Sequence, residues 1–194
     1  MQRQEQKFFL NLKEQISLLS KFKATVVYPT RRINSIYFDD LKMSCFINSE
    51  EGIIPRSKYR FRWYGNSFKI DNKGIIEIKK TFSNFKTKKS FNFNFNNLED
   101  LSNAMRAKFN KNLIDICQVS YDRIYYANND GVRFTYDFNI FYRSLKTNAI
   151  MKSKNTVFEI KYEGDDRGYF SSYFGDRMTR FSKYNEAVLK LRNQ

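Results

Sequence analysis

The stretch RSKYRFRWYG (residues 56–65) places Arg56, Lys58, Arg60 and Arg62 at alternate positions, with Ser57, Tyr59, Phe61 and Trp63 between them. Successive side chains of a strand point to opposite faces, so this spacing predicts one face of four cations and one mostly aromatic face. Like charges that close repel, and water or an anion has to relieve them. The pattern recurs along the chain. Arg3, Glu5 and Lys7 share a face, as do Ser35, Tyr37 and Asp39 opposite Ile36 and Phe38. In GIIEIKK, Glu77 and Lys79 oppose Ile76 and Ile78; in VFEIKYEG, Glu159 and Lys161 oppose Phe158, Ile160 and Tyr162. Lys86 and Lys88 oppose Phe91, Phe93 and Phe95, and Arg133, Thr135 and Asp137 oppose Val132, Phe134, Tyr136 and Phe138. Strand after strand carries one apolar face and one face of cations with scattered carboxylates.

Composition narrows the chemistry those faces can do. The 194 residues fit one domain, residues 1–194, with a substantial core. Thirty-five Lys and Arg against twenty Asp and Glu leave a net charge of +15, which points to a polyanionic partner. Nucleic acid, an anionic membrane surface and phosphorylated molecules or polymers are the candidates. Histidine is absent. That removes the usual general base, the Ser-His and Cys-His pairs and His-ligated zinc. Chemistry must rest on carboxylates, cations, hydroxyls or an oxygen-ligated metal. Cys45 and Cys117 are the only cysteines and lie far apart, so they read as reduced core residues of a cytoplasmic protein. No apolar run is long enough to span a membrane, and the N-terminus does not read as a secretion signal.

The elements that must position these residues follow from periodicity and turn signals. Residues 2–9 alternate as a strand. NLKEQISLLSKF (11–22) reads as a helix capped by Asn11, with Leu12, Ile16, Leu19 and Phe22 near helical spacing. Strands are expected at 32–40, over the Arg56 stretch, at 73–82 after the Asp71-Asn72-Lys73-Gly74 turn signal, and at 86–96. A helix at 98–109 opens at Asn97. Strands follow at 117–127, 131–139 and 156–163, the first two joined by Asn128-Asn129-Asp130-Gly131. RGYFSSYFGDRM (167–178) and NEAVLKLR (185–192) read as helices.

Two architectures accommodate this pattern. One is an antiparallel sheet with its apolar side under helices and its polar side in water. The other is a sheet closed into a barrel with the polar face inward, gathering the charges around one channel. Buried like charges are costly unless paired, so a channel needs interior carboxylates and an anionic ligand.

The chain resembles the VTC catalytic domain, a polyphosphate polymerase domain within the triphosphate tunnel metalloenzymes and related to the CYTH group. The resemblance runs in family order through nearly the whole chain. It comprises R-x-E-x-K-F from Arg3, S-x-Y-F-D from Ser35, R-x-K-x-R-x-R-W-Y from Arg56 and E-I-K from Glu77. S-Y-x-R from Ser120, R-x-T-x-D from Arg133, E-I-K-Y from Glu159 and F-S-K-Y from Phe181 complete it. Each motif is weak alone; eight in order are specific. The implied fold is α+β: a closed antiparallel β-barrel, the triphosphate tunnel, with helices packed outside and a C-terminal helix.

By matching motif, the resemblance implies that Lys7, Lys58, Arg60, Arg62, Lys79, Lys88, Arg123, Arg133, Lys161 and Lys183 bind the phosphates of ATP or polyphosphate. Strand parity prefers Lys88 to Lys89, and Arg56 either lines the tunnel mouth or is solvated. Tyr121, on the Arg123 face, is placed to hydrogen-bond a phosphate. Glu159 matches the family's metal ligand, for Mn²⁺ or Mg²⁺. Glu5 and Glu77 are second candidates, or else orient neighbouring Lys and Arg. Where the broader superfamily has E-x-E-x-K on its first strand, Arg3 takes the first glutamate's place. This argues against a two-carboxylate metal site there.

The activity implied is ATP-dependent polyphosphate synthesis by phosphoryl transfer. The same tunnel with water as acceptor would be a triphosphatase, and without turnover a polyanion-binding module. RNA binding would place aromatics on the cation faces, whereas Ile78, Phe134 and Phe158 lie opposite the cations. No specific nucleic-acid partner is therefore expected. No SPX-like region or transmembrane segment is read, so membrane association would require other chains. Arg31, Arg32, Lys108, Lys111, Lys152 and Lys154 read as solvated surface charge.

Overall fold

The computed structural model describes residues 3–65, 69–83, 85–164 and 177–192. The strands are β1 (Arg3–Phe8), β2 (Thr25–Asp39), β3 (Arg56–Tyr64), β4 (Lys73–Thr81), β5 (Lys86–Asn94), β6 (Ile114–Ala127), β7 (Arg133–Ser144), β8 (Ile150–Lys152) and β9 (Val157–Glu163). Four helices occur among the described residues: α1 (Leu12–Lys21), α2 (Ser44–Glu50), α3 (Leu98–Phe109) and α4 (Lys183–Leu191). The strands follow the order β1-β9-β7-β6-β2-β3-β4-β5, with β8 on β7. The pairs β1–β9, β9–β7, β7–β8, β2–β3, β3–β4 and β4–β5 are antiparallel. The fold is thus α+β and dominated by an antiparallel sheet. No described helix is long and apolar enough to cross a membrane.

The chain divides into two compact units. The first comprises Met1–Arg31, Tyr121–Ile140 and Ser153–Phe181; the second comprises Arg32–Ser120, Phe141–Lys152 and Ser182–Gln194. Strands β2, β6 and β7 contribute residues to both.

In the first unit, Phe8, Leu10, Leu18, Phe134, Phe158, Ile160 and Tyr162 form the core, with Leu19 and Phe22 of the α1 region against it. Asn11 caps α1, accepting from Glu14 N at 3.0 Å while Glu14 accepts from Asn11 N at 2.8 Å. The buried side of α1 differs from the expected one. Leu12 and Ile16 are exposed, whereas Gln15 is buried because its amide donates to Leu10 O at 2.9 Å. Met178 makes an isolated antiparallel bridge to Phe8, so the end of the expected helix 167–178 is extended. The rest of that helix, residues 167–176, lies outside the described residues.

In the second unit, Tyr59, Phe61 and Trp63 of β3 are buried. Tyr59 packs on Phe109, the last residue of α3, and Phe61 packs edge-on against Phe95. Helix α3 opens at Asn97, whose side chain accepts from Asp100 N at 2.9 Å. Gly74 lies inside β4, where a Cβ would come 2.4 Å from Arg62 O and 2.5 Å from the Phe61 ring. Its value is close approach to β3 as much as turn formation. Cys45 and Cys117 are free and buried.

Three elements went beyond the sequence expectations, the short β8 (Ile150–Lys152) among them. Strand β2 starts at Thr25, not 32, and its first seven residues are exposed. They show no in–out alternation, and Pro29 argues against a strand interior. Helix α2 has only seven residues, and left-handed Met43 before it makes no side-chain cap. Two preceding carboxylates do the capping: Asp40 accepts from Ser44 N at 3.0 Å, and Asp39 accepts from Cys45 N at 2.9 Å and Phe46 N at 3.0 Å. A cap reaching forward from the end of a strand carries no local signature.

Candidate anion site

The polar faces of the strands are buried in part: that of β5 is exposed, whereas several polar residues on the other strands are not. Ser35, Asp39 and Glu77 in the second unit, and Thr135, Asp137 and Glu159 in the first, are all buried. An ordinary sheet with its polar side in water would leave such residues wet.

In the second unit, backbone register assembles a basic surface row by row. Lys58 pairs with Lys79, and Lys79 with Lys88. Three lysines thus stand directly across three strands, which destabilises the sheet unless an anion shares them. Lys89 pairs with Ile78 and so lies on the other face. The next row runs Tyr37, Arg60, Glu77, Ser90, and the one after it Ser35, Arg62, Ile75, Asn92.

Glu77 is the counter-charge in the middle. Arg60 Nε donates to its Oε2 at 2.6 Å, Lys88 Nζ donates to its Oε1 at 2.8 Å, and Arg62 Nε stands 3.5 Å from Oε2. Burial alone would raise the Glu77 pKa; Arg60, Arg62 and Lys88 override it and bring it down to about 2. One carboxylate therefore serves three cations. Arg60 also donates to Tyr37 Oη at 3.3 Å. Lys58 Nζ donates to Ser182 Oγ at 2.6 Å and to Asn185 Oδ1 at 3.3 Å, at the N-terminus of α4. Lys183 is the first residue of that helix.

The motifs S-x-Y-F-D and F-S-K-Y meet through side chains. Tyr37 stacks on Tyr184 at 5.1 Å, and Tyr184 Oη donates to Asp39 Oδ2 at 2.6 Å. Burial first, and Asp39 second, push the Tyr184 phenol far up, so it stays a proton donor. Asp39 thereby ties α2 to the helix that carries Ser182 and Lys183.

Sequence reasoning placed Ser35 on this face without giving it a role. Its Oγ is buried with no hydrogen-bond partner, and the Nε of its cross-strand partner Arg62 is likewise buried without one. Arg62 Nε keeps its 3.5 Å ion pair with Glu77, so the unpartnered Ser35 hydroxyl beside it is what marks a place for a ligand oxygen. A single Ser in a motif carries no such signal before strand register is known.

In the first unit, β1, β9 and β7 form two rows: Lys7–Glu159–Thr135 and Glu5–Lys161–Arg133. Lys161 Nζ lies 2.5 Å from Glu159 Oε1, and Lys7 Nζ lies 3.9 Å from Glu5 Oε1 while donating to Phe181 O at 3.0 Å. Burial opposes the charge of Glu159, but Lys161, Lys7 and Arg123 hold its pKa well below the usual carboxylate range. Arg123 makes a bidentate pair with Asp137, at 2.5 Å from Nε to Oδ1 and 2.7 Å from Nη2 to Oδ2. Its guanidinium sits over the Tyr121 ring, 5.3 Å from the centroid. Arg133 is exposed at the start of β7.

Among the described residues no group of three His, Cys, Asp or Glu converges. Glu159 is ionised and supplies hard oxygens, so it fits a divalent cation as one ligand, the remainder being phosphate oxygens and water. Of the surface cations, Arg31 lies over Tyr28, Arg32 and Lys152 over Phe141, and Lys108 over Phe91 at 3.7 Å. Arg31, Lys108, Lys111, Lys152 and Lys154 are exposed, as expected of surface charge, and Arg32 is half-buried; the ring contacts add cation–π attraction.

Solved structures share this fold at low sequence identity. A protein from Hippeastrum with a dominant triphosphatase activity aligns at TM-score 0.57 and 11% identity, covering 99% of this chain and 96% of that one. A conserved protein from Pyrococcus furiosus aligns at TM-score 0.56 and 15% identity over 96% and 99%. The PH1819 protein of Pyrococcus horikoshii OT3 aligns at 0.55 and 12% over 99% and 99%. No curated protein matches the chain at a significant level. The VTC domain profile matches residues 2–192. The chain belongs to the VTC domain family.

Proposed function

We propose that this protein transfers the γ-phosphoryl group of ATP to the end of a polyphosphate chain, with triphosphate and polyphosphate held by its basic strand faces. The terminal oxygen of the acceptor forms the new bond to the γ-phosphorus. The bond from that phosphorus to the bridging oxygen breaks, and ADP leaves with the electron pair. The acceptor is already an oxyanion, so no general base is required, and the absence of histidine is no obstacle. What the reaction needs is in-line positioning and neutralisation of charge.

The observation carrying this reading is the burial of charge on the polar faces. Glu77 and Glu159 are buried and ionised, yet each is outnumbered by the cations around it. Lys58, Arg60, Arg62, Lys79, Lys88, Lys183 and Ser35 would bind phosphate in the second unit. Lys7, Arg123, Arg133, Lys161 and Tyr121 would do so in the first. Glu5 and Glu77 orient their neighbouring cations. Glu159 would hold Mn²⁺ or Mg²⁺, which when bound neutralises phosphate charge. The reading includes a closed barrel with its polar faces inward and a cytoplasmic site of action, where ATP is available.

The triphosphatase activity of the Hippeastrum protein favours a second reading, with water as acceptor on the same residues. RNA binding is disfavoured because Tyr59, Phe61 and Trp63 are buried opposite the cations. Incubation with ATP and Mn²⁺ or Mg²⁺, resolving polyphosphate from free phosphate, separates the readings. Long chains are expected. Phosphate alone would establish the triphosphatase, and tight polyphosphate binding without either product would leave a binding module.

A further inference from the structure

On β7 and β9 of the first unit the rings lie opposite the cations, and Phe134, Phe158 and Tyr162 are core. Strand β6 departs from this rule. Tyr121, Arg123 and Tyr125 alternate along it and so share one face. The Arg123 guanidinium lies 5.3 Å from the Tyr121 centroid and 5.8 Å from the Tyr125 centroid. Tyr126, the next residue, packs on the core, which sets Tyr125 on the other side. Tyr28 of β2 meets Tyr125 edge to face, with centroids 5.9 Å apart and ring planes at 89°. Arg31 sits over Tyr28 at 5.2 Å. The series Tyr121, Arg123, Tyr125, Tyr28, Arg31 is therefore continuous, and all of it belongs to the first unit. It runs from buried Tyr121 through half-buried Tyr125 to Tyr28, which is 53% exposed.

These contacts reach the phosphate-facing row. Arg123 pairs with Asp137 and acts together with Lys161 and Lys7 on Glu159. The bond from Asn128 N to Val132 O, at 3.1 Å, and the Arg123–Asp137 pair stand on either side of Tyr125 and Thr135. Tyr125 thus falls beside Thr135, at the end of the row Lys7–Glu159–Thr135. The Thr135 hydroxyl is buried with no hydrogen-bond partner, which leaves a place for a ligand oxygen there. Phosphate itself needs no ring, since cations and hydroxyls bind it. Two perpendicular rings and a guanidinium beside Arg123 suit a nucleobase, which stacks on ring faces and guanidinium planes. We infer that the purine of a nucleoside triphosphate lodges in the corner between Tyr28 and Tyr125, with its phosphates on Arg123, Lys161 and Lys7. Tyr28 is then a specificity residue, separating nucleoside triphosphates from bare triphosphate, which gains nothing from the rings. The rings gather at one end of one strand's face, which suits a single nucleotide; RNA needs successive platforms.

The inference rests on the reading of ATP as donor, and the test keeps the two apart. Dissociation constants for the β,γ-imido analogue of ATP and for inorganic tripolyphosphate are measured calorimetrically, with Mg²⁺ present, on the whole chain. Wild type is compared with Tyr28→Ala and Tyr28→Phe, each checked by thermal melting; Tyr28 is exposed, so both variants should fold. Tyr28→Ala should weaken the nucleotide by on the order of tenfold and leave tripolyphosphate unchanged. Tyr28→Phe, which keeps the ring, should bind both ligands as wild type does. Equal loss of both ligands in Tyr28→Ala, an unchanged nucleotide affinity there, or a weakened one in Tyr28→Phe overturns the inference while ATP binding itself stands. Failure of wild type to bind the nucleotide would overturn it together with the reading of ATP as donor.

Discussion

Glu77→Gln removes the one carboxylate facing Arg60, Arg62 and Lys88, and its consequences can be worked from the site. The gap between the ordinary carboxylate value of 4.5 and about 2 corresponds to on the order of 3 kcal/mol. Because the pKa is depressed on folding, this contribution is complete above 4.5 and drains away as the pH falls toward 2. At pH 7 the glutamine variant should therefore melt about 6–12 °C below wild type, a chain of this size losing about 2–4 °C per kcal/mol. The difference should shrink as the pH is lowered through the carboxylate range. Tripolyphosphate supplies the missing negative charge. At about a hundredfold excess over its dissociation constant it adds about 2.7 kcal/mol to either protein, and more to the variant if the freed cations bind it better. Differential scanning fluorimetry across pH, with and without tripolyphosphate, measures each quantity. A variant melting within about 2 °C of wild type at pH 7, less than about 1 kcal/mol of destabilisation, would refute this account of Glu77. So would a difference that stays constant down to acid pH.

Three other substitutions test different parts of the site. Ser35→Ala removes a buried hydroxyl that has no partner, so stability should stay within about 0.5 kcal/mol of wild type while tripolyphosphate affinity falls; unchanged affinity in a calorimetric titration would remove Ser35 from the site. Glu159→Gln should abolish turnover of ATP in the presence of Mn²⁺ or Mg²⁺ yet spare much of the anion affinity, and unaltered product formation would overturn the metal assignment. Tyr184→Phe deletes the donor to Asp39 and should cost about 1.5–3 kcal/mol in chemical denaturation, the range for hydrogen bonds to charged groups, whereas an unshifted midpoint would deny that this bond anchors α4.

Much of the element pattern was legible because it depends on local rules. Asn11 and Asn97 announced two helix starts by the same side-chain cap. The alternation of Arg56 to Trp63 announced β3 and its two faces, and the structure buries the aromatic one. Where the local rule was absent, the reading failed. The exposed start of β2 has no alternation, and α2 borrows its cap from Asp39 and Asp40. Gln15 is buried by a bond to Leu10 O that no hydrophobic periodicity encodes.

The sequence by itself determined which residues share a face of each strand and that those faces hold more cations than carboxylates. A side-chain period of two is a property of one strand and needs no partner. Ordered motifs added the family. Only tertiary structure decided which strand lies beside which, because register is set by pairing between segments far apart in the chain. Register is what placed Lys58, Lys79 and Lys88 in one row, set Glu77 among Arg60, Arg62 and Lys88, and stood Ser35 beside Arg62. It also drew Tyr37 and Tyr184 together over Asp39. Burial of Ser35, Asp39, Glu77, Thr135, Asp137 and Glu159 was likewise invisible in the alternation, since solvated and enclosed strand faces carry the same period and differ only in what packs over them.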